Sequence, residues 1–170
     1  MIGGRALGVH LTSLVALSLW LGAVLVVGAV VAPAAFAVLP TRTLAGAVVG
    51  RVLPTLFWSG AAIGLLVAVL GRRDGAARAH PLFGLAVTIA CLGAQLVVAP
   101  RIARVRADVA VPIDRLARED PRRVAFGRLH MASVALLGVA GLAGVGALFF
   151  TVRAVTGDAR QGISHPLHEP

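Results

Sequence analysis

Histidine, arginine and one glutamine are the side chains of this sequence best suited to chemistry. His10, His80 and His130 each stand at the beginning of a long apolar run, and Gln95 is the most polar residue deep inside one. Imidazole carries a proton near neutral pH or ligates a metal. Two imidazoles on facing helices at one depth can hold a haem iron between them. Only His10 and His80 begin runs on the same membrane face, so this pair bears on haem or metal binding; His130 begins on the other face. The commoner role of such a histidine is neutral and interfacial, which requires no cofactor. Arg51 and Arg128 open the second and fourth runs in the related sequences Gly50-Arg51-Val52 and Gly127-Arg128-Leu129. An arginine at a span end snorkels to lipid phosphate, or it binds an anionic group in a cleft between helical hairpins. Gln95 is expected to hydrogen-bond across helices, with a ligand contact as the alternative.

Other chemistry is excluded by what the apolar runs lack. None contains Asp, Glu or Lys. Proton-coupled transporters and intramembrane proteases rely on ionisable groups at membrane depth. No HExxH, GxSxG, P-loop or dinucleotide fingerprint occurs. Asp108, Asp114, Glu119 and Asp120 alternate with arginines, the pattern of a solvated, salt-bridged face. Cys91 is the single cysteine and cannot form an internal disulfide. No catalytic residue and no enzymatic activity are expected.

The elements that position these residues follow from composition. The chain is 58% hydrophobic and 14% charged over 170 residues, with a mean hydropathy of +0.91. Soluble domains average about 25% charged residues, and a core of this size cannot hide the apolar excess. One all-α membrane domain over residues 1–156 is expected, with a polar, disordered tail over 157–170. Its spans cover about residues 10–38, 45–71, 81–107 and 121–155.

Each span has its own punctuation. The uncharged stretch Ala6–Thr41 would be roughly 54 Å long as a helix at about 1.5 Å per residue, against a hydrocarbon core of about 30 Å. It must tilt, protrude or kink, and Pro33 is the natural break. Arg5 and Ala35-Phe36-Ala37 resemble parts of a signal peptide, but Leu11–Val31 is longer than the usual apolar region of about 7–15 residues. Trp20 and Trp58 lie within spans and are read as packing residues. Beyond the apolar run Pro81–Pro100 the third span is expected to continue as an amphipathic helix: Ile102, Val105 and Val109 share one helical face and Arg101, Arg104 and Asp108 another. Pro112 interrupts this helix. Asp120-Pro121 reads as an N-cap followed by proline at the first helical position.

Two hairpins related as a parallel repeat are suggested by Leu21–Val27 beside Leu92–Val98, and by Val-Val-Ala-Pro at Val30–Pro33 and Val97–Pro100. Small residues mark close helix approach: Gly46 with Gly50, then Gly60, Gly64 and Ala68. Ser13, Ser18, Thr55, Ser59, Thr88, Gln95 and Ser133 are expected to face the bundle. Homo-oligomers are compatible with such surfaces.

The net charge is +9 and every basic residue is arginine. The arginines lie between apolar runs, so lipid head groups rather than nucleic acid are the expected partner, with anionic lipid at the 101–128 loop. Ten of the sixteen arginines fall on the side holding that loop, here side B; side A holds the starts of spans one and three. The positive-inside rule then places side B in the cytoplasm, for a protein of a bacterial inner membrane.

Three stretches carry a family likeness: Leu19-Trp20-Leu21-Gly22 with Val31-Ala32-Pro33 and Phe36; Ala45-Gly46 with Gly50-Arg51-Val52-Leu53-Pro54; and Phe126-Gly127-Arg128-Leu129-His130 with Ser133. By their order and spacing the chain resembles the transmembrane protein 205-like family, also described as domain of unknown function 4149. The resemblance implies a four-helix integral membrane protein without an assigned enzymatic activity, and it favours Arg128, His130 and Ser133 as functional positions. A looser likeness to four-helix units of copper-resistance and haem-pathway membrane proteins implies the alternative, a redox protein using His10, His80 or His130.

Overall fold

Lipid offers no water to bond a backbone amide, so an apolar chain satisfies its amides within helices. The computed structural model describes the backbone of residues 4–73 and 79–163, and the side chains of 8–72, 80–153, 155 and 156. The helices are α1 (Gly4–Val26), α2 (Ala32–Val38), α3 (Arg42–Arg73), α4 (Ala79–Leu92), α5 (Ala99–Ala107) and α6 (Pro121–Ile163), with no strand among the described residues. A wider π-helical turn at Val27–Val31 joins α1 to α2, and another at Gly93–Val98 joins α4 to α5. Four stretches are long and apolar enough to cross a membrane: Gly8–Val38, Arg42–Arg72, His80–Ala107 and Pro121–Arg153. The fold is an all-α four-span membrane bundle.

Both π turns end on the same local sequence. The Ala32 amide donates to the Val27 carbonyl and the Ala99 amide to the Ala94 carbonyl, each five residues back. Pro33 and Pro100 follow at once. Proline has no amide hydrogen, and its ring crowds the carbonyl four residues earlier; a widened turn relieves that crowding. The break therefore lies in the turn before Pro33 rather than at it. The two Val-Val-Ala-Pro segments share a backbone conformation, which favours their register over that of the longer Leu-Gly-Ala similarity. Pro54 lies inside α3, which continues through it.

The most extensive helix contacts are those of α4 with α3 and then with α6; α1 lies against α6 and α3. Trp20, Phe57, Val87, Cys91, Ala140 and Ala143 form the centre of the core. Glycines set the closest approaches. A Cβ on Gly64 would stand 2.6 Å from the Gly84 carbonyl oxygen, and one on Gly60 would stand 2.6 Å from the Trp20 ring and 2.8 Å from Cys91 Sγ. Trp20 Nε1 donates to the Leu56 carbonyl at 2.9 Å. Outward-facing residues are strongly apolar: Leu19 is 71% exposed and Leu142 76%. In water such exposure is unfavourable by about 25 cal/mol per Å², whereas lipid tails accept it.

Several side chains turn away from the bundle. Ser18 and Thr55 are exposed, and Ser59 and Gln95 are half-buried; Ser13, Thr88 and Ser133 are buried. A hydroxyl that does not reach another span can be satisfied by its own helix, as the half-buried Ser59 Oγ is by donating to the Thr55 carbonyl at 2.7 Å. Trp58 is 50% exposed and faces lipid, unlike Trp20 at 3%. Gly46 and Gly50 do not meet a helix backbone; a Cβ added at either would find the Arg106 guanidinium as its nearest neighbour, 3.9 Å away. Helix α6 continues to Ile163, into the segment expected to be a polar tail, while 164–170, with His165 and His168, and the turn at 74–78 lie outside the described residues.

Candidate functional site

Two polar clusters occupy opposite ends of the bundle. At side A, His10 and Ser13 come from α1, His80 from α4 and Thr151 from α6, and all four are buried. The His10 and His80 rings stand 6.4 Å apart at 68°, edge to face. Thr151 Oγ1 lies 2.8 Å from the Ala147 carbonyl. It stands equally close, 2.8 Å, to His80 Nε2 and hydrogen-bonds it. His80 Nδ1 lies against Gly71 of α3, where a Cβ would overlap it. All four spans meet at this imidazole.

This geometry bears on the haem or metal alternative. A metal at Nε2 would have to displace the bond to Thr151. Among the described residues, no group of three or more His, Cys, Asp or Glu stands together to hold an ion. The cluster as built ties helices to one another.

Side B is built from arginine. Helix α5 keeps Ile102 and Val105 half-buried and projects Arg101 and Arg104 outward, one turn apart. The following loop is pinned rather than free. Thr43 Oγ1 donates to Asp114 Oδ1 at 2.6 Å, and Arg123 Nη1 donates to the Leu116 carbonyl at 2.5 Å. Asp120 caps α6: it accepts from the Arg122 amide at 2.8 Å and pairs with Arg122 Nη2 at 2.8 Å. The side-chain hydrogen bond from Arg122, then its backbone amide, lower the Asp120 pKa to about 2. Arg106 lies 5.3 Å over the Phe126 ring, and Phe126 stacks on His130 at 6.3 Å.

The remaining side-B arginines are uncommitted. Arg51, Arg101, Arg104 and Arg128 are exposed, and no hydrogen bond or ion pair among the described residues engages them. Arg128 and His130 are exposed while Ser133 is buried in α6, so these three do not gather into one pocket. Gln95 sits half-buried in the second π turn and makes no side-chain hydrogen bond among the described residues; the interhelical bond expected of it is not formed. Beside that turn, Leu96, Val97, Pro100, Arg101 and Arg104 line a groove of about 260 Å³.

Sequence reasoning missed Thr151 and Arg106. Thr151 lies near the end of the fourth span, and a hydroxyl within an apolar run was its one signal. Arg106 sits among other arginines, and only its spacing from Phe126 in three dimensions distinguishes it.

The family model described as Domain of unknown function (DUF4149) matches residues 15–110. None of the curated proteins and none of the solved structures matches the chain.

Proposed function

From the premise that this chain belongs to the family described as Domain of unknown function (DUF4149), we propose a membrane protein that acts by binding at its arginine-rich end. Its ligand is an anionic lipid head group or a small anionic solute bearing the same phosphate or carboxylate. The observation that carries this reading is the imbalance at side B. Ten arginines share side B with four carboxylates, Asp108, Asp114, Glu119 and Asp120; Asp120 is taken by Arg122 and Asp114 is engaged by Thr43, while Arg51, Arg101, Arg104 and Arg128 stand exposed. Guanidinium groups at head-group level attract anionic lipid by about 1 kcal/mol each and form bidentate bonds to phosphate. The same excess supports an orientation with side B in the cytoplasm of a bacterial inner membrane. Kinship with the transmembrane protein 205-like proteins belongs to this proposal as well. The test is the lipid that co-purifies with the detergent-solubilised protein. Enrichment of anionic over zwitterionic phospholipid relative to the host membrane, reduced in Arg51→Gln/Arg128→Gln, supports the reading; a host-like lipid ratio contradicts it.

A further inference from the structure

We infer that two copies of this chain pair along the third span, across a two-fold axis, through the carboxamides of Gln95 and its counterpart in the second copy. The inference is independent of the side-B reading. The sequence has no asparagine, and Gln95 is the one carboxamide within the four spans. Its nitrogen offers two donors and its oxygen an acceptor, and no described residue hydrogen-bonds any of them. A polar group left so in hydrocarbon is costly. Lone hydroxyls escape that cost on their own helix, as Thr12 Oγ1 does by donating to the Gly8 carbonyl at 2.9 Å; Gln95 forms no such bond.

The position of Gln95 restricts what can bond it. Leu92, Gln95, Ala99 and Ile102, spaced three or four residues apart, are all half-buried and form a strip where the bundle meets lipid. Ile89 and Leu96 beside them are exposed. Gln95 stands six residues inside Arg101, roughly 9 Å at about 1.5 Å per residue. Helical side chains lean toward the helix N-terminus, which for this span is side A. The amide is therefore carried toward the membrane interior, away from the phosphates, glycerol esters and water of side B. The missing partner must come through the lipid, at that depth, and must both donate and accept.

A second copy meets these conditions by symmetry. Both copies cross the membrane in one direction, so a two-fold axis along the membrane normal brings each residue to its counterpart at equal depth. Gln95 then faces Gln95. Each carboxamide donates one N–H to the other's oxygen, and two hydrogen bonds close. Acyl tails offer neither group. Ile89 and Leu96 shape the contact without driving it, because lipid accepts them equally well. Arg101 and Arg104 of both copies stay at the rim, where salt and lipid phosphate screen their repulsion.

Single-molecule photobleaching of the fluorescently labelled full chain, in liposomes over a range of protein-to-lipid ratios, tests the pairing. The unmodified protein should bleach in two steps. Gln95→Leu should need about tenfold higher density in the membrane to reach the same dimer fraction, the effect of losing two hydrogen bonds between membrane helices. Gln95→Asn keeps a paired amide on a shorter stem and should dimerise better than Gln95→Leu. Gln95→Glu should dimerise in acid, where protonated carboxyls pair, and dissociate as pH rises and carboxylates repel, a response that repacking alone does not produce. In protein carrying Cys91→Ser, Leu96→Cys should cross-link between copies on oxidation and Leu142→Cys on α6 should not. One-step bleaching of the unmodified protein at every density, equal dimerisation of Gln95→Leu, or cross-linking through Leu142→Cys alone overturns the inference. Three-step bleaching that Gln95→Leu abolishes would mark a ring of amides and overturn the two-fold pairing.

Discussion

His80 Nε2 and Thr151 Oγ1 share a hydrogen bond of 2.8 Å, joining the third span to the fourth at side A. The threonine hydroxyl also lies 2.8 Å from the Ala147 carbonyl of its own helix. Thr151→Val keeps the shape and removes the hydroxyl. It should lower stability by about 1 kcal/mol, the usual worth of a hydrogen bond between membrane helices. Thr151→Ser should stay closer to the unmodified protein. Reversible unfolding in mixed micelles measures both, and equal stability of all three proteins would show the bond to be dispensable.

The glycines of α3 divide into two kinds. Gly64 abuts the Gly84 carbonyl and Gly60 abuts Trp20. Alanine at either position forces backbone or an indole to move, at about 1–3 kcal/mol for an overpacked site. At Gly46 or Gly50 the nearest group is 3.9 Å from a new Cβ. Alanine there should be neutral or stabilising by up to about 1 kcal/mol, because it lowers the entropy cost of the helix. The same unfolding assay ranks the four variants, and destabilisation of Gly50→Ala equal to that of Gly64→Ala would contradict the packing.

The two tryptophans report which faces meet lipid. Trp58 is 50% exposed and Trp20 3%. In single-tryptophan proteins placed in bilayers of brominated lipid, Trp58 fluorescence should be strongly quenched and Trp20 fluorescence should persist. Equal quenching would mean that α1 and α3 do not pack as described.

Asp120 sets an acid limit on the cap of α6. Its carboxyl is lowered from 3.8 to about 2, chiefly by the Arg122 side-chain hydrogen bond. A depressed carboxyl favours the folded cap above its ordinary pKa, and that contribution disappears as pH falls through about 2. Amide exchange at Arg122, corrected for its intrinsic pH dependence, should be slow and constant above about pH 4 and accelerate only in stronger acid. Asp120→Ala should show the faster exchange throughout that plateau, and the difference should vanish in stronger acid.

Much of this arrangement is legible in the residues. Long apolar runs determine four spans, Asp120-Pro121 marks a helix start, and Ile102 and Val105 mark the half-buried side of α5, which ends at Ala107, before Val109 of the expected face. His10 and His80 share a membrane face by counting spans. The rotation of each span is less legible. When both faces of a helix are apolar, composition cannot say that Trp20 turns inward and Trp58 outward, or that Ser18 and Thr55 meet lipid. Small-residue spacing is equally ambiguous: Gly60 and Gly64 receive another helix, whereas Gly46 and Gly50 lie beneath Arg106. Thr151 escapes notice because a lone hydroxyl near a span end has no spacing signature; its importance arises only when His80 reaches it.

The claim that side B selects anionic head groups is tested most directly by electron paramagnetic resonance of spin-labelled lipids in bilayers containing the protein. Phosphatidylglycerol should show a larger motionally restricted fraction than phosphatidylcholine. The excess should shrink at high salt, as screened charge requires, and in the protein lacking Arg51, Arg101, Arg104 and Arg128. Equal restricted fractions for the two lipids at low salt would contradict the account.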